Sequence, residues 1–510
     1  MARRSKPAPR LRALALAAAA AMTAAVPAAA AGTAGLGGAA LAVANEAVWQ
    51  STPTTSTVSS TMADVAAAIG ATTGADGTGI GIALIDTGVA PVPGLPSAKI
   101  VNGPDLSFES QSPTLRYLDT YGHGTHLAGI MVGNDSTAGL KGLAPNAKLT
   151  SVKVGTAQGA VDVSQMLAAI DWVVQHRNDD PKNPIRVLNL SYGTPGTAPA
   201  WSDPLTFAVE NAWKKGIVVV VAGGNDASTT TLTNPGYDPF VLSVGSAAPG
   251  SKTSLPGDHL STFTSTGSGA GNIDVTAPGE GIVSLRDPGS NIDTTYPGAL
   301  VGTRLFRGSG TSQAAAVVSG AVAQLLQKRP TLTPDQVKAL LVATAKPLTV
   351  GAGATQGLGV INVAAAVAKA TPTTTQTWQS SFGTGSLNSA RGGINVVHDN
   401  NPLIGEFDLF QPFSPANWAQ YAAAGTTWSG GVWMGERLAG DDWTGTSWAS
   451  KTWASAGWAG TVWDGTGPWI DDTWSGHYWS GSEWSGHYWS GHYWSSSSWS
   501  GGAWEVASWG

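Results

Sequence analysis

Five short apolar runs punctuate the first half of the chain: GIGIALID at 79–86, LTSVKV at 149–154, IRVLNL at 185–190, GIVVVVA at 216–222 and PFVLSVG at 239–245. Runs this short and rich in β-branched residues read as strands buried on both faces. Between them, VSQMLAAIDWVVQ (163–175) and DPLTFAVENAWKK (203–215) carry apolar residues at helical spacing. Two further helices are expected near 311–328 and 334–345. The second opens on TPDQ, where Thr333 caps and Pro334 takes the first helical position. Strands alternating with helices predict an α/β fold of three layers, a mainly parallel sheet covered on both sides.

The texture differs at both ends. Residues 32–75, rich in Ala, Thr, Ser and Gly, read as a leader or linker, which puts the main folded domain at 76–370. TPTTTQT (371–377) opens an expected linker or junction over 371–417, and 418–510 is a Trp-rich repeat region. Tryptophan recurs every five residues from Trp443 to Trp463 and again from Trp469 to Trp509. A period of five suits neither regular element: it alternates faces in a strand and rotates by about 140° per step in a helix. Each repeat therefore predicts a turn, supplied by WSG, within a short-repeat β-rich arrangement. Two uses of the indoles stay open: mutual packing as core, or an aromatic surface for glycans or cell wall. The histidines of the GHYW repeats, His477, His487 and His492, are read as surface residues in register.

Composition narrows the class. The 510 residues carry a net charge of −6, with 42% hydrophobic and 12% charged residues, and no cysteine. Disulfides, thiolate chemistry and cysteine-bound zinc are excluded, and there is no basic footprint for nucleic acid. Residues 1–31 run from basic (MARRSKPAPRLR) through apolar (ALALAAAAAMTAAV) to small residues (PAAAAG), the pattern of a secretory signal peptide. No later run is long and apolar enough for a transmembrane anchor, so the mature chain is expected outside the cell, free or at its surface.

Three chemistry-bearing residues stand where an open α/β sheet gathers its active groups. Asp86 ends the first strand in LIDTGV; His123 opens a helix in YGHGTHLAG; Ser312 opens another in GSGTSQAAAVVSG. Asp, His and Ser can form a relay for nucleophilic attack. Rival readings are weaker. A single DTG needs a symmetric dimer to make an aspartic-protease pair. His123 and His126 lack the glutamate of H-E-x-x-H, and GTSQA lacks the last glycine of G-x-S-x-G. Gly77, Gly79 and Gly81 precede their strand, whereas a dinucleotide loop follows it. His126 is read as a structural helix residue.

The segments IALIDTGV, GHGTHLAG and GTSQAAAVVSG, in that order, resemble the subtilisin-like serine proteases, the subtilase or peptidase S8 family, over about 79–370. The resemblance implies a serine endopeptidase acting on protein or peptide substrates, with Asp86, His123 and Ser312 as catalytic triad. It implies that Asn225 of VVVVAGGND supplies the oxyanion hole and that Ser191, Tyr192 and Gly193 of NLSYG pair with substrate backbone. Ser309 is then a turn residue. No cofactor is required for the chemistry; structural calcium is common in the family, and no residue here is assigned to it. Ala316 stands where the family usually has proline, and too little chain precedes the first strand for the usual inhibitory pro-domain. The alternative is a catalytically weak subtilase fold used as a surface-binding protein.

Overall fold

The computed structural model describes residues 59–435, apart from 96–98, 108, 111–114, 197, 250–255, 270, 349–358, 374, 394, 399–400, 410–411 and 430–431. The expected signal peptide and the tryptophans from Trp443 onward lie outside the described residues.

A ten-stranded sheet forms the centre. Six of its strands are β1 (Gly81–Asp86), β2 (Ile100–Asn102), β3 (Lys148–Lys153), β4 (Ile185–Leu190), β5 (Val218–Ala222) and β6 (Leu242–Pro249). In space they run β6-β5-β4-β1-β3-β2, all parallel. Every residue of β1 and of β5 is buried, which is why these strands lack polar alternation. The expected α/β fold with a mainly parallel sheet is what the chain forms.

The helices start where their caps dictate. Helix α1 (Met62–Ala68) begins at a Thr61–Asp64 capping box. Helix α2 (His123–Val132) follows Gly122, whose φ of 103° is open chiefly to glycine. Asp162 and Gln165 form a capping box for α3 (Val163–His176), and Asp203 caps α4 (Pro204–Lys214). Helix α5 (Thr311–Lys328) is buried on all sides from Thr311 to Leu326. It packs against β4, β5, β6 and α2, which explains its small residues: a Cβ on Gly320 would come within 2.8 Å of the Leu143 Cβ. Thr333 caps α6 (Pro334–Thr344) through a box with Gln336, as its sequence suggests.

The structure differs from the expected boundaries on both flanks. Within the expected leader, Ser60 N–H donates to the Gly281 carbonyl at 2.8 Å, and Met62, Val65 and Ile69 join the main core. Within the expected linker, Glu210 Oε1 accepts from Ser381 N–H at 2.7 Å, and Arg391, in helix α7 (Leu387–Arg391), is wholly buried. Ala-, Ser- and Thr-rich composition hid these ties because the apolar anchors are few and the remaining contacts are single long-range hydrogen bonds and one buried ion pair.

Helix α8 (Pro415–Ala424) then brings the first tryptophans onto α3. Trp418 and Trp433 both donate their indole N–H to Asp171 Oδ2, at 2.8 and 2.9 Å. Trp428 donates to the Ala168 carbonyl at 2.8 Å. Burial pushes the Asp171 carboxyl up to about 7, although the indoles of Trp433 and Trp418 oppose the shift. A carboxyl raised on folding contributes stability that is full below its unfolded pKa, here the ordinary 3.8, and is lost as pH rises through about 7. In the Ser312→Ala background, which prevents self-digestion, Tm is expected to fall between pH 4 and 7. Asp171→Asn should reduce that slope, the remainder being carried by Asp203 and Asp238, which burial raises to about 6 and about 8; an unchanged slope would place the titrating group elsewhere.

Candidate active site

Asp86 closes β1 at the carboxyl edge of the sheet, and His123 is the first residue of α2. The Asp86 Oδ1 lies 2.8 Å from His123 Nδ1, with both side chains buried. An ionised carboxylate only accepts, so Nδ1 carries the proton and Nε2 is left as the basic nitrogen. The Thr87 N–H also donates to Asp86 Oδ1 at 2.8 Å, which fixes the carboxylate from its own backbone.

The glycine at 124 allows this approach. A Cβ on Gly124 would meet the Gly88 carbonyl oxygen at 2.1 Å and Asp86 Oδ1 at 3.1 Å. Helix α2 therefore reaches the end of β1 only with glycine at 124. Gly124→Ala is expected to displace His123 from Asp86, and misplacement on the order of 1 Å costs roughly 10² in turnover. Peptidase turnover measured beside the thermal melt checks this; wild-type turnover in a folded variant would show that the approach is slack.

Sequence reasoning missed the group that clamps this junction. Asp119 is wholly buried and accepts from Thr87 Oγ1, Gly122 N–H and Thr125 N–H, each at 2.7 Å. Burial pushes its carboxyl above the usual range. Lys153, at the end of β3, donates to the carbonyls of Thr87 and Leu118 and pairs with Glu109 at 2.8 Å. These groups tie the loop before His123 to the end of β1. The signal for Asp119 was local, an acid four residues before His123 in a polar run, and could have been weighed.

Ser312 is the second residue of α5, where backbone N–H groups have no intrahelical partner. Its Oγ is buried and makes no hydrogen bond among the described residues. Asp86, at the carboxyl end of β1, bonds the first residue of α2, and Asn225, just beyond the carboxyl end of β5, bonds the first residue of α5, so both helices start at the same edge of the sheet. The structure thus joins Asp86 to His123 by direct contact and sets Ser312 at the start of a helix packed against that of His123. Ser309 Oγ accepts from Gly281 N–H at 2.9 Å, a turn role.

Asn225 lies three residues beyond β5. Its Oδ1 accepts from Thr311 N–H at 2.9 Å and Thr311 Oγ1 at 3.0 Å, so it caps α5 beside Ser312 and its Nδ2 is the donor left to give. Ser191 follows β4. Its Oγ lies 3.5 Å from the Ser312 carbonyl oxygen and 3.0 Å from Asn189 Nδ2, while Asn189 Oδ1 accepts from Ser319. Ser191, Tyr192 and Gly193 are all buried. Ala316 is buried within α5, one turn after Ser312. His126 lies 3.2 Å from the Phe306 carbonyl; burial, then the neighbouring His123, push it down to about 3, so it stays neutral.

Among the described residues, no group of three or more His, Asp or Glu side chains fits a metal ion. Where Asp274 meets the carbonyls of Pro239 and Val241, the cation is the Lys338 ammonium, at 2.9, 2.7 and 2.6 Å. That cluster does not fit a carboxylate-built calcium cage, since the ammonium already takes the carboxylate and both carbonyls.

The sequence profile of the subtilase family, peptidase S8, matches residues 77–385, more than half of the chain. The chain belongs to the subtilase family. Subtilases are serine endopeptidases, and relatives of this chain carry that description. Serine protease AprX of Bacillus subtilis (strain 168) is 38% identical over 275 residues, 52% of this subtilase and 61% of the relative, so the match spans less than two thirds of that protein. Subtilisin DY of Bacillus licheniformis is 35% identical over 297 residues, 58% of this subtilase and 92% of the relative. The crystal structure of a cold adapted subtilisin-like serine proteinase is 29% identical with a TM-score of 0.44, covering 57% of this subtilase and 90% of that chain. Among the described residues no helix is long and apolar enough to cross a membrane.

Proposed function

We propose that this subtilase is a secreted endopeptidase that hydrolyses peptide bonds through an acyl-enzyme on Ser312. The observation that carries the reading is the buried 2.8 Å contact between Asp86 and His123 at the end of β1, with Ser312 heading a helix packed against that of His123. The Ser312 Oγ attacks the substrate carbonyl carbon, and His123 Nε2 takes its proton. Asp86 holds the ring and stabilises the imidazolium. The Ser312 N–H and Asn225 Nδ2 receive the negative charge that develops on the carbonyl oxygen. Collapse breaks the C–N bond, and His123 returns the proton to the leaving amine. A water, deprotonated by His123, then releases the acyl group. Because the Ser191 and Tyr192 side chains are buried, the segment after β4 offers a substrate its backbone rather than its side chains. A serine-directed fluorophosphonate label and casein digestion test the reading together. Absence of both in folded protein would favour the alternative, a catalytically weak surface-binding protein.

Export rests on the 1–31 pattern alone. For the repeat, Trp418, Trp428 and Trp433 lie at multiples of five residues before Trp443, and all three are buried with their N–H groups bonded. That favours packing for these members. If the later indoles instead stack on sugars, the full chain should sediment with cell-wall particles in high salt, because stacking is salt-insensitive. Truncation after residue 435 should then abolish sedimentation while peptidase activity persists. Equal behaviour of the two chains would remove the adhesive role.

A further inference from the structure

The strand proposed to receive substrate is flanked on one side by chain that lies beyond the family match. Thr194, one residue after Gly193, exchanges two backbone hydrogen bonds with Asn234, at 2.8 and 3.0 Å. Its side chain faces the other flank, where Thr194 Oγ1 donates to the Ala390 carbonyl at 2.5 Å. Gly392 lies so close behind that a Cβ there would meet the Pro195 carbonyl carbon and oxygen at 2.4 Å. The family match ends at residue 385, so this contact belongs to the extension.

Arg391 anchors the flank. Its guanidinium is wholly buried and forks onto Asp162, with Nε to Oδ2 at 2.6 Å and Nη2 to Oδ1 at 3.2 Å. Its remaining donors reach the carbonyls of Gly405, at 2.7 Å, and Phe407. Asp162 caps α3, so the fork ties the extension to a helix of the central body. The buried Tyr192 ring lies within electrostatic reach of both Asp162 and Arg391. The segment after β4 is therefore held at Thr194 and Pro195 between Asn234 and Ala390–Gly392.

We infer that Arg391, with the Ala390–Gly392 turn, is a positioning element of the substrate groove: it sets the lateral place of the Ser191–Thr194 segment and so the binding of extended peptides. The inference rests on the proposed peptidase reading. An extended peptide pairs with a strand through several main-chain bonds, and each needs the strand in register. A single-residue ester reaches only the reacting centre. Loosening the flank should therefore raise KM for extended peptides far more than for such an ester, with kcat less affected.

The test uses the full chain and two substrates, an extended peptide and a single-residue ester. Arg391→Met is expected to raise KM for the peptide at least tenfold more than for the ester, and Arg391→Lys to restore part of the difference. Arg391→Met leaves the Asp162 carboxylate buried without its partner and could fail to fold, so Thr194→Val and Gly392→Ala carry the test independently. The first removes only the bond to Ala390; the second wedges a methyl against Pro195 at a residue with φ of 66°. Both should show the same peptide-selective rise, of several-fold or more. Equal changes on both substrates, or none, in folded Thr194→Val and Gly392→Ala would overturn the inference while leaving the triad standing. A wild-type chain that takes no fluorophosphonate would instead remove the peptidase reading, and this inference with it.

Discussion

Ser312→Ala is expected to abolish fluorophosphonate labelling and to lower peptide hydrolysis by about 10⁶, the size of the loss when subtilisin is stripped of its own nucleophilic serine. The variant should fold. Ser312 lies inside α5, its Oγ makes no hydrogen bond among the described residues, and alanine is the better helix former. No buried partner is orphaned by removing the hydroxyl. Ser309→Ala is the matched control, three residues earlier in the same turn. It loses the bond from Gly281 N–H, worth about 0.5–1.5 kcal/mol of stability, and should retain most activity. The two variants are compared by labelling, casein digestion and thermal melt. Full labelling of folded Ser312→Ala would move the nucleophile elsewhere and end the triad assignment.

What the sequence disclosed, and what it hid, divides by the range of the interactions. The β1 and β5 runs announce themselves because both faces are buried, so nearly every position is apolar. Asp86, His123 and Ser312 are legible because each sits at an element boundary marked by glycines that the geometry needs, as Gly122 and Gly124 show. The network behind them is less legible. Lys153 reads as one charge at the end of a strand, and only the tertiary fold brings it to Glu109 and the carbonyls of Thr87 and Leu118. The flanks were misjudged for the same reason. TPTTTQT has the composition of a linker, yet Gln376 donates to Asp335 and to the Phe240 carbonyl, and Arg391 is buried on Asp162. Hydrophobic patterning carries no trace of such contacts. The tryptophan period was visible, but its meaning was not: the same residues can pack or bind until their N–H partners are known. Trp418 and Trp433 show one answer, two indoles sharing one buried carboxylate.

Asp86→Asn should lower kcat by about 10⁴ while the fold and KM change little. The substitution preserves shape and removes charge, which separates the two tasks given to Asp86. In the native site, Oδ1 accepts from both Thr87 N–H and His123 Nδ1, while Oδ2 is buried and accepts no hydrogen bond among the described residues. An asparagine has two ways to sit there, and both impair the relay. With its oxygen at the Oδ1 position it still accepts from His123, but the negative charge that stabilises the imidazolium is gone. Its NH₂ then occupies the buried Oδ2 position without an acceptor, a cost of about 1–3 kcal/mol. Turned over, it sets NH₂ against the Thr87 N–H and against His123 Nδ1. The ring must then accept at Nδ1 and carry its proton on Nε2, which leaves no base facing Ser312. Steady-state turnover on a peptide substrate, with the thermal melt as control, measures the loss. A folded Asp86→Asn enzyme within tenfold of wild type would show that His123 works without a carboxylate behind it, and the relay drawn from the 2.8 Å contact would have to be abandoned.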